Sequence, residues 1–357
     1  MNDILQKLLV DMIKKDASDL HITANTPINY RIDGDLVAAT DHALSPDDAK
    51  SIIFSLLDDE QILRFEKERE LDFAFSISDS ARYRANIFYQ RGFVGCAIRM
   101  IPYKIRGISE CGLPEQVLKE FCKASKGLIL ITGATGSGKS TTMAAMIDEI
   151  NSTRKCHIVT VEDPIEFVHQ NKKSVIDQRE VHSDTKSFPD ALRHVLRQDP
   201  DVILIGELRD LESIHQAMVI ADTGHLVFGT LHTSDSIQTI NRIIDVFPAH
   251  QQKQIRTQLS FVLIGVISQQ LIPKMDKGRV LAAEVLIVTS PVKSMVRDER
   301  VHQIYSTLQT SSKIGMQTMN QSLVALFRKG VISHDDMISS SSDVEELLRM
   351  LESPVGR

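Results

Sequence analysis

Apolar positions follow two different rhythms along this chain. Over residues 1–104, short alternating stretches are interleaved with helical ones. Residues 28–32 and 36–38 flank Asp33-Gly34, a dipeptide suited to a hairpin turn. Ser45-Pro46-Asp47-Asp48 carries the marks of a helix start: a hydroxyl to cap, a proline in the first turn, and acids at the positive end. Ile52, Ile53, Leu56 and Leu57 then recur at helical spacing. After a charged stretch at 65–70, strand-like runs at 71–77, 81–90 and 92–100 complete a small α+β domain spanning 1–104. Residues 101–113 hold one proline, two glycines and few periodic apolar positions, which sets a linker at 105–113.

From 114 to 357 the rhythm changes. Nearly continuous apolar runs at 128–132, 158–161, 202–205, 226–231 and 280–287 alternate with helical patterns. Strands without a polar face imply a parallel sheet covered by helices on both sides, an α/β domain. The chain ends in a serine run at 339–342 and a short amphipathic helix at 344–351, and no internal repeat is found.

Composition narrows the function classes. With 357 residues, 42% hydrophobic and 25% charged, the chain can build sizeable cores without disulfides or metals. Lys+Arg 41 against Asp+Glu 47 leaves a formal charge of −6, so nothing global draws it to nucleic acid or anionic lipid. Cys96, Cys111, Cys122 and Cys156 show no paired spacing and read as reduced thiols. The start lacks a signal-peptide pattern, and no apolar run approaches the ~20 residues that span a bilayer. The expectation is a soluble, cytoplasmic protein without membrane insertion.

Gly133-Ala134-Thr135-Gly136-Ser137-Gly138-Lys139-Ser140, followed by Thr141, matches the phosphate-loop pattern at every fixed position. A buried-strand pattern precedes it, and Met143, Met146, Ile147 and Ile150 mark a helix after it. The glycines let main-chain N–H groups curl around a phosphate, and the helix start aims its positive end at the same anion. Lys139 would reach the β- and γ-phosphate oxygens, and the Ser140 hydroxyl would ligate Mg²⁺.

In open parallel sheets, ligands bind outside the C-terminal strand ends. The run 157–161 ends in Glu162-Asp163-Pro164, the run 202–206 in Glu207, and the run 226–231 in His232. An ATP hydrolase that uses Mg²⁺ needs one carboxylate for the metal and one to orient and deprotonate water. Glu162 and Glu207 are the candidates for these roles, Glu207 standing where an aspartate is usual. His232 could sense a γ-phosphate. His225 falls at the opposite strand end, and Asp163, before a proline, could simply shape the turn. Arg82, Arg84, Arg91 and Arg99 crowd the last strands of the first domain. They form either a solvated sheet face or, for Arg84 and Arg99, donors to nucleotide bound by a neighbouring subunit.

Together these segments resemble the type IV pilus retraction (twitching motility) ATPases of the secretion ATPase superfamily. Residues 133–141 (GATGSGKST), 158–166 (IVTVEDPIE), 197–210 (RQDPDVILIGELRD) and 223–233 (TGHLVFGTLHT) resemble that family's Walker A, Asp-box, Walker B and His-box segments. The likeness runs from ASDLHI at 17–22 to GMQTMN at 315–320, and the absence of paired C-x-x-C motifs fits the retraction type rather than the zinc-bearing extension type. Residues 291–298 keep the apolar and basic pattern of a helix typical of that type, with different letters. The resemblance implies a PAS-like domain followed by a RecA-like P-loop ATPase domain, a homohexameric ring, and ATP with Mg²⁺ as cofactors. It also implies docking on an inner-membrane pilus platform protein, with room for a paralogous retraction ATPase as a further partner. Two other classes compete: a nucleic-acid motor, disfavoured by the charge and the 5% aromatic content, and a non-hydrolysing assembly subunit, disfavoured by intact Lys139, Ser140, Glu162 and Glu207.

Overall fold

The computed structural model describes residues 2–32, 34–78, 81–101 and 105–352. The chain divides into two compact units, Met1–Lys104 with Glu166–Val168, and Ile105–Ile165 with His169–Arg357.

In the first unit, α1 (Asp3–Lys15) starts at Asn2, whose side chain accepts from the Ile4 N–H, and buries Leu5, Leu9 and Met12. The antiparallel sheet is ordered β3-β2-β1-β6-β5-β4, with β1 (Asp19–Ile22), β2 (Asn29–Ile32), β3 (Asp35–Ala38), β4 (Glu70–Ser78), β5 (Ala81–Gln90) and β6 (Phe93–Ile101). Its inner face carries Leu20, Tyr30, Tyr83 and Ile98, all at most 1% exposed. Both tyrosine hydroxyls find partners on α1: Tyr30 donates to Leu8 O at 3.0 Å and Tyr83 to Leu9 O at 2.7 Å. The expected hairpin pairs β2 with β3, although Asp33 of its turn lies outside the described residues. The expected helix start at Ser45 is observed: its hydroxyl accepts from the Asp48 N–H at the head of α2 (Pro46–Phe54). The charged stretch at 65–70 spans the end of α3 (Asp59–Glu68), its C-cap Arg69 and the start of β4 at Glu70; α3 opens on a reciprocal Asp58/Gln61 capping box. β1 escaped the sequence reading because its polar/apolar alternation, DLHI, lasts only four residues, the shortest run such a pattern can mark.

The second unit is ordered β13-β12-β7-β11-β10-β8-β9. These strands are β7 (Gly127–Thr132), β8 (His157–Glu162), β9 (Val175–Glu180), β10 (Val202–Ile205), β11 (Leu226–Leu231), β12 (Leu263–Pro273) and β13 (Arg279–Ile287). Strands β12 through β9 pair in parallel, as expected, but β13 runs antiparallel to β12. That corrects the all-parallel reading. Five residues separate β12 from β13, enough for a hairpin and too few for a crossover helix.

Apolar runs without a polar face are explained by two cores. Leu128, Leu130, Ile203, Ile205 and Val227 point into one, while Ile129, Ile131, Val202, Leu204 and Phe228 point into the other. The first core takes buried residues of α6 (Phe188–Val195), α7 (Leu211–Asp222), α8 (Ser236–Asp245) and α9 (Ala249–Val262), and the second those of α4 (Glu115–Lys123) and α5 (Lys139–Thr153). The stretch between 105 and 113 buries Ile108, Cys111 and Leu113 in that second core. All four cysteines are free, and burial pushes the Cys122 thiol up to about 12. Further helices α10 (Ser290–Arg297), α11 (Ile304–Thr310), α12 (Met319–Arg328), α13 (His334–Ser339) and α14 (Val344–Glu352) complete the unit. No helix among the described residues is long and apolar enough to cross a membrane.

Candidate nucleotide site

Reading the sheet across its C-terminal rim gives the order of the chemistry. β7 delivers the phosphate loop, β11 delivers His232, β10 delivers Glu207 and β8 ends at Glu162. The phosphate loop, His232, Glu207 and Glu162 thus arrive at adjacent strand ends.

The loop between β7 and α5 is shaped by glycine. Gly133 has φ +139°, and a Cβ there would lie 2.4 Å from Gln269 O and 2.6 Å from Ser137 Oγ. Gly136 and Gly138 also take positive φ, and Gly138 leads directly into α5 at Lys139. Ala134, Thr135 and Gly136 are exposed at the crest, whereas the Ser137 hydroxyl is buried without a hydrogen-bond partner. Lys139 Nζ donates to the carbonyls of Gly133 at 2.7 Å and Ala134 at 3.0 Å, folding back over the loop it serves. Ser140 and Thr141 follow in the first turn of α5, where N–H groups have no intrahelical acceptor. From the sheet side, Gln269 Nε2 donates to Thr142 Oγ1 at 2.7 Å and Thr132 Oγ1 to Ser268 Oγ at 2.9 Å, so β12 braces both ends of the loop.

The carboxylate side is assembled differently. Gly206 N donates to Val161 O at 2.8 Å, and a Cβ on Gly206 would sit 3.2 Å from Glu162 Cα. That glycine allows the close approach which sets Glu207 beside the end of β8. Thr230 Oγ1 donates to Gly206 O at 2.5 Å, and the Leu208 N–H donates to Thr230 O, tying the turn to β11. Glu207 Oε1 lies 3.1 Å from His232 Nε2 and 2.5 Å from Arg209 Nε. The Glu207 contact holds the Arg209 guanidinium above its ordinary pKa. Glu162 Oε1 accepts from Thr160 Oγ1 at 2.6 Å and from Gln178 Nε2 at 3.2 Å. His225 stands at the other end of β11, its ring against Ile220 O and Thr223 Oγ1. Arg209 and Gln178 were not singled out in the sequence. Arg209 had a signal, standing two residues after Glu207, whereas Gln178 lies in a polar strand that had none.

Arg84 and Arg99 belong to the first unit. They are direct register partners on β5 and β6, and Asp19 on β1 pairs with both Arg99 and Arg31 in register. Arg99 Nε reaches Asp19 Oδ1 at 2.8 Å with a side chain 72% exposed, and Arg84 approaches Asp72 at 3.7 Å.

The donor chemistry fits a phosphate ligand with a hard cation: main-chain N–H groups and an ammonium on one side, a hydroxyl and two carboxylates on the other. Among the described residues no cluster of three or more His, Cys, Asp or Glu forms a protein-only metal cage.

Residues 1–278 match the family model described as "Type II/IV secretion system protein". The chain belongs to that family. It is a P-loop ATPase of α/β fold, with the small α+β unit preceding the ATPase unit. It is 46% identical over 332 residues to the type IV pilus retractation ATPase PilT of Pseudomonas aeruginosa, covering 93% of this chain and 96% of that protein. It is 44% identical to a twitching motility protein of Neisseria gonorrhoeae, covering 92% and 88%. A crystal structure of the pilus retraction motor PilT with bound ADP superposes with a TM-score of 0.91 at 48% identity, covering 97% of this chain and 99% of that one.

Proposed function

We propose that this protein hydrolyses ATP with Mg²⁺ to drive retraction of type IV pili. It acts as a cytoplasmic ring of six copies docked on an inner-membrane platform protein. The observation that carries this reading is the rim itself: Lys139, His232, Glu207 and Glu162 on four adjacent strand ends, in a chain similar over nearly its whole length to a pilus retraction ATPase.

In this mechanism Lys139 exchanges the carbonyls of Gly133 and Ala134 for β- and γ-phosphate oxygens, while loop N–H groups and the start of α5 hold the phosphates. The Ser140 hydroxyl and Glu207 would hold Mg²⁺, whose charge when bound offsets that of the transferring phosphoryl group. Glu207 is engaged by Arg209 and His232, so its carboxylate links the metal region to a γ-phosphate sensor on β11. Glu162, which receives hydroxyl and amide donors, is assigned to orient the attacking water and take its proton. Arg84 and Arg99 leave their aspartates to contact ATP held by a neighbouring copy, which would couple hydrolysis to movement between subunits. A paralogous retraction ATPase is a further partner in this reading.

The decisive test is in cells: deletion leaves pili assembled but not retracted, and loss of the pili themselves would contradict the reading. On purified protein, Lys139→Ala removes turnover, and light scattering finds a hexamer with nucleotide. Mixing an Arg84→Ala/Arg99→Ala variant with Lys139→Ala restores part of the activity in rings of confirmed mixed mass. Mixed rings at background would return the arginines to a structural role.

A further inference from the structure

The loop that follows Glu162 is pinned by a strand the apolar pattern does not reveal. β9 pairs in parallel with β8 so that Thr160 faces Gln178 and Glu162 faces Glu180 in register. These four side chains stand at alternate positions and share one face of the two strands. Glu180, 7% exposed, accepts the Ile165 N–H at 3.1 Å, near the beginning of the loop. Gln178 Oε1 accepts the His169 N–H at 2.8 Å, at the middle of the loop. A main-chain N–H can only donate, so this bond fixes which end of the Gln178 amide is oxygen. The NH₂ end is thereby turned to Glu162 Oε1, 3.2 Å away.

We infer that Gln178 is a positioning residue for hydrolysis, holding the Glu162 carboxylate in its reactive orientation through an amide whose own direction is locked by His169. The inference rests on Glu162 acting on the attacking water. Gln178 touches neither nucleotide nor metal in this scheme. Its contribution is to supply, with Thr160, donors that fix one carboxylate oxygen and so direct the other.

Steady-state turnover and nucleotide affinity on the full-length protein test this. Gln178→Leu lowers kcat by about tenfold while the dissociation constant for a fluorescent ATP analogue stays within about twofold, because only the orientation of the acting group is lost. Unchanged kcat, or an equal loss of affinity, overturns the inference. In a Glu162→Gln background, Gln178→Leu costs less than about twofold, since the group it positions is already gone. A full further tenfold loss shows that Gln178 acts through the fold instead. If Glu162→Gln alone keeps native turnover, it is the assignment of Glu162 that fails, and the two failures are separated.

Gln178→Glu covers the case of a misfolded leucine variant or of a background too slow to read. It keeps an oxygen for the His169 N–H and replaces only the donor to Glu162 with a second carboxylate. Its turnover relative to native rises at least about fivefold from pH 8 to pH 6, as a proton shared between the two carboxylates restores a donor. A ratio independent of pH overturns the inference.

Discussion

On the phosphate-loop side of the rim, the atoms that would meet the ligand in the proposed function are mostly main chain. Their arrangement is set by backbone conformations at Gly133, Gly136 and Gly138. On the carboxylate side they are side chains, brought together by register: Glu162 from β8, Glu207 from β10 and His232 from β11, with Gln178 and Glu180 reaching in from β9. A main-chain cradle tolerates few substitutions because a single Cβ fills it. A side-chain constellation can lose one member and keep its frame. The two sides should therefore fail differently when altered, one in binding and the other in turnover.

Gly133→Ala sets the largest expected effect. Its Cβ would lie 2.4 Å from Gln269 O, so the loop must shift. ATP affinity then falls by at least about 100-fold and turnover below about 1% of native, with overpacking costing on the order of 1–3 kcal/mol of stability. Calorimetric titration checks it; native affinity in that variant would break the comparison. Glu207→Ala comes next. Turnover falls about 100-fold while nucleotide affinity stays within about threefold, because the cradle is untouched. A collapse of affinity there would mean that the carboxylate side also builds the cradle.

A smaller effect concerns acid stability. His169, within the loop after Glu162, has its ring Nδ1 buried without a hydrogen-bond partner, and burial lowers its pKa to about 4 from 6.5. Its folded-state pKa is depressed, so the unfolded chain binds the proton first: stability is intact above pH 6.5 and falls as the pH drops toward 4. His169→Gln should flatten the decline in Tm between pH 7 and 5, and an unchanged decline would place the acid sensitivity elsewhere. The smallest effect is a control in the first unit. Asp58→Ala removes the α3 cap and costs about 1 kcal/mol in urea unfolding, with ATP turnover unaltered.

The same contrast explains what could be read from the chain. The phosphate-loop pattern was legible residue by residue because it is local: eight consecutive positions carry it, and the structure sets them between β7 and α5. Glu162, Glu207 and His232 were legible because each ends an apolar run, and strand ends of one parallel sheet share a rim. Gln178 and Glu180 were not, because VIDQRE carries neither the continuous apolar stretch of a central strand nor a clean alternation. It is an edge strand, and its pairing with β8 supplies the hydrogen bonds its composition does not advertise. The direction of β13 was equally hidden, since an apolar run looks alike whichever way it points.

By itself, then, the sequence determined the covalent order of loop, acids and histidine, the α/β alternation with its small α+β unit ahead, and the glycines without which the loop cannot close. Those properties depend on neighbours a few residues apart. The tertiary structure decided that Glu207 meets His232, that Gly206 sets it beside Glu162, and that Gln178 of β9 donates to Glu162 from the sheet edge. These are contacts between strands whose register is chosen by packing on both faces of the sheet, and no local spacing encodes them.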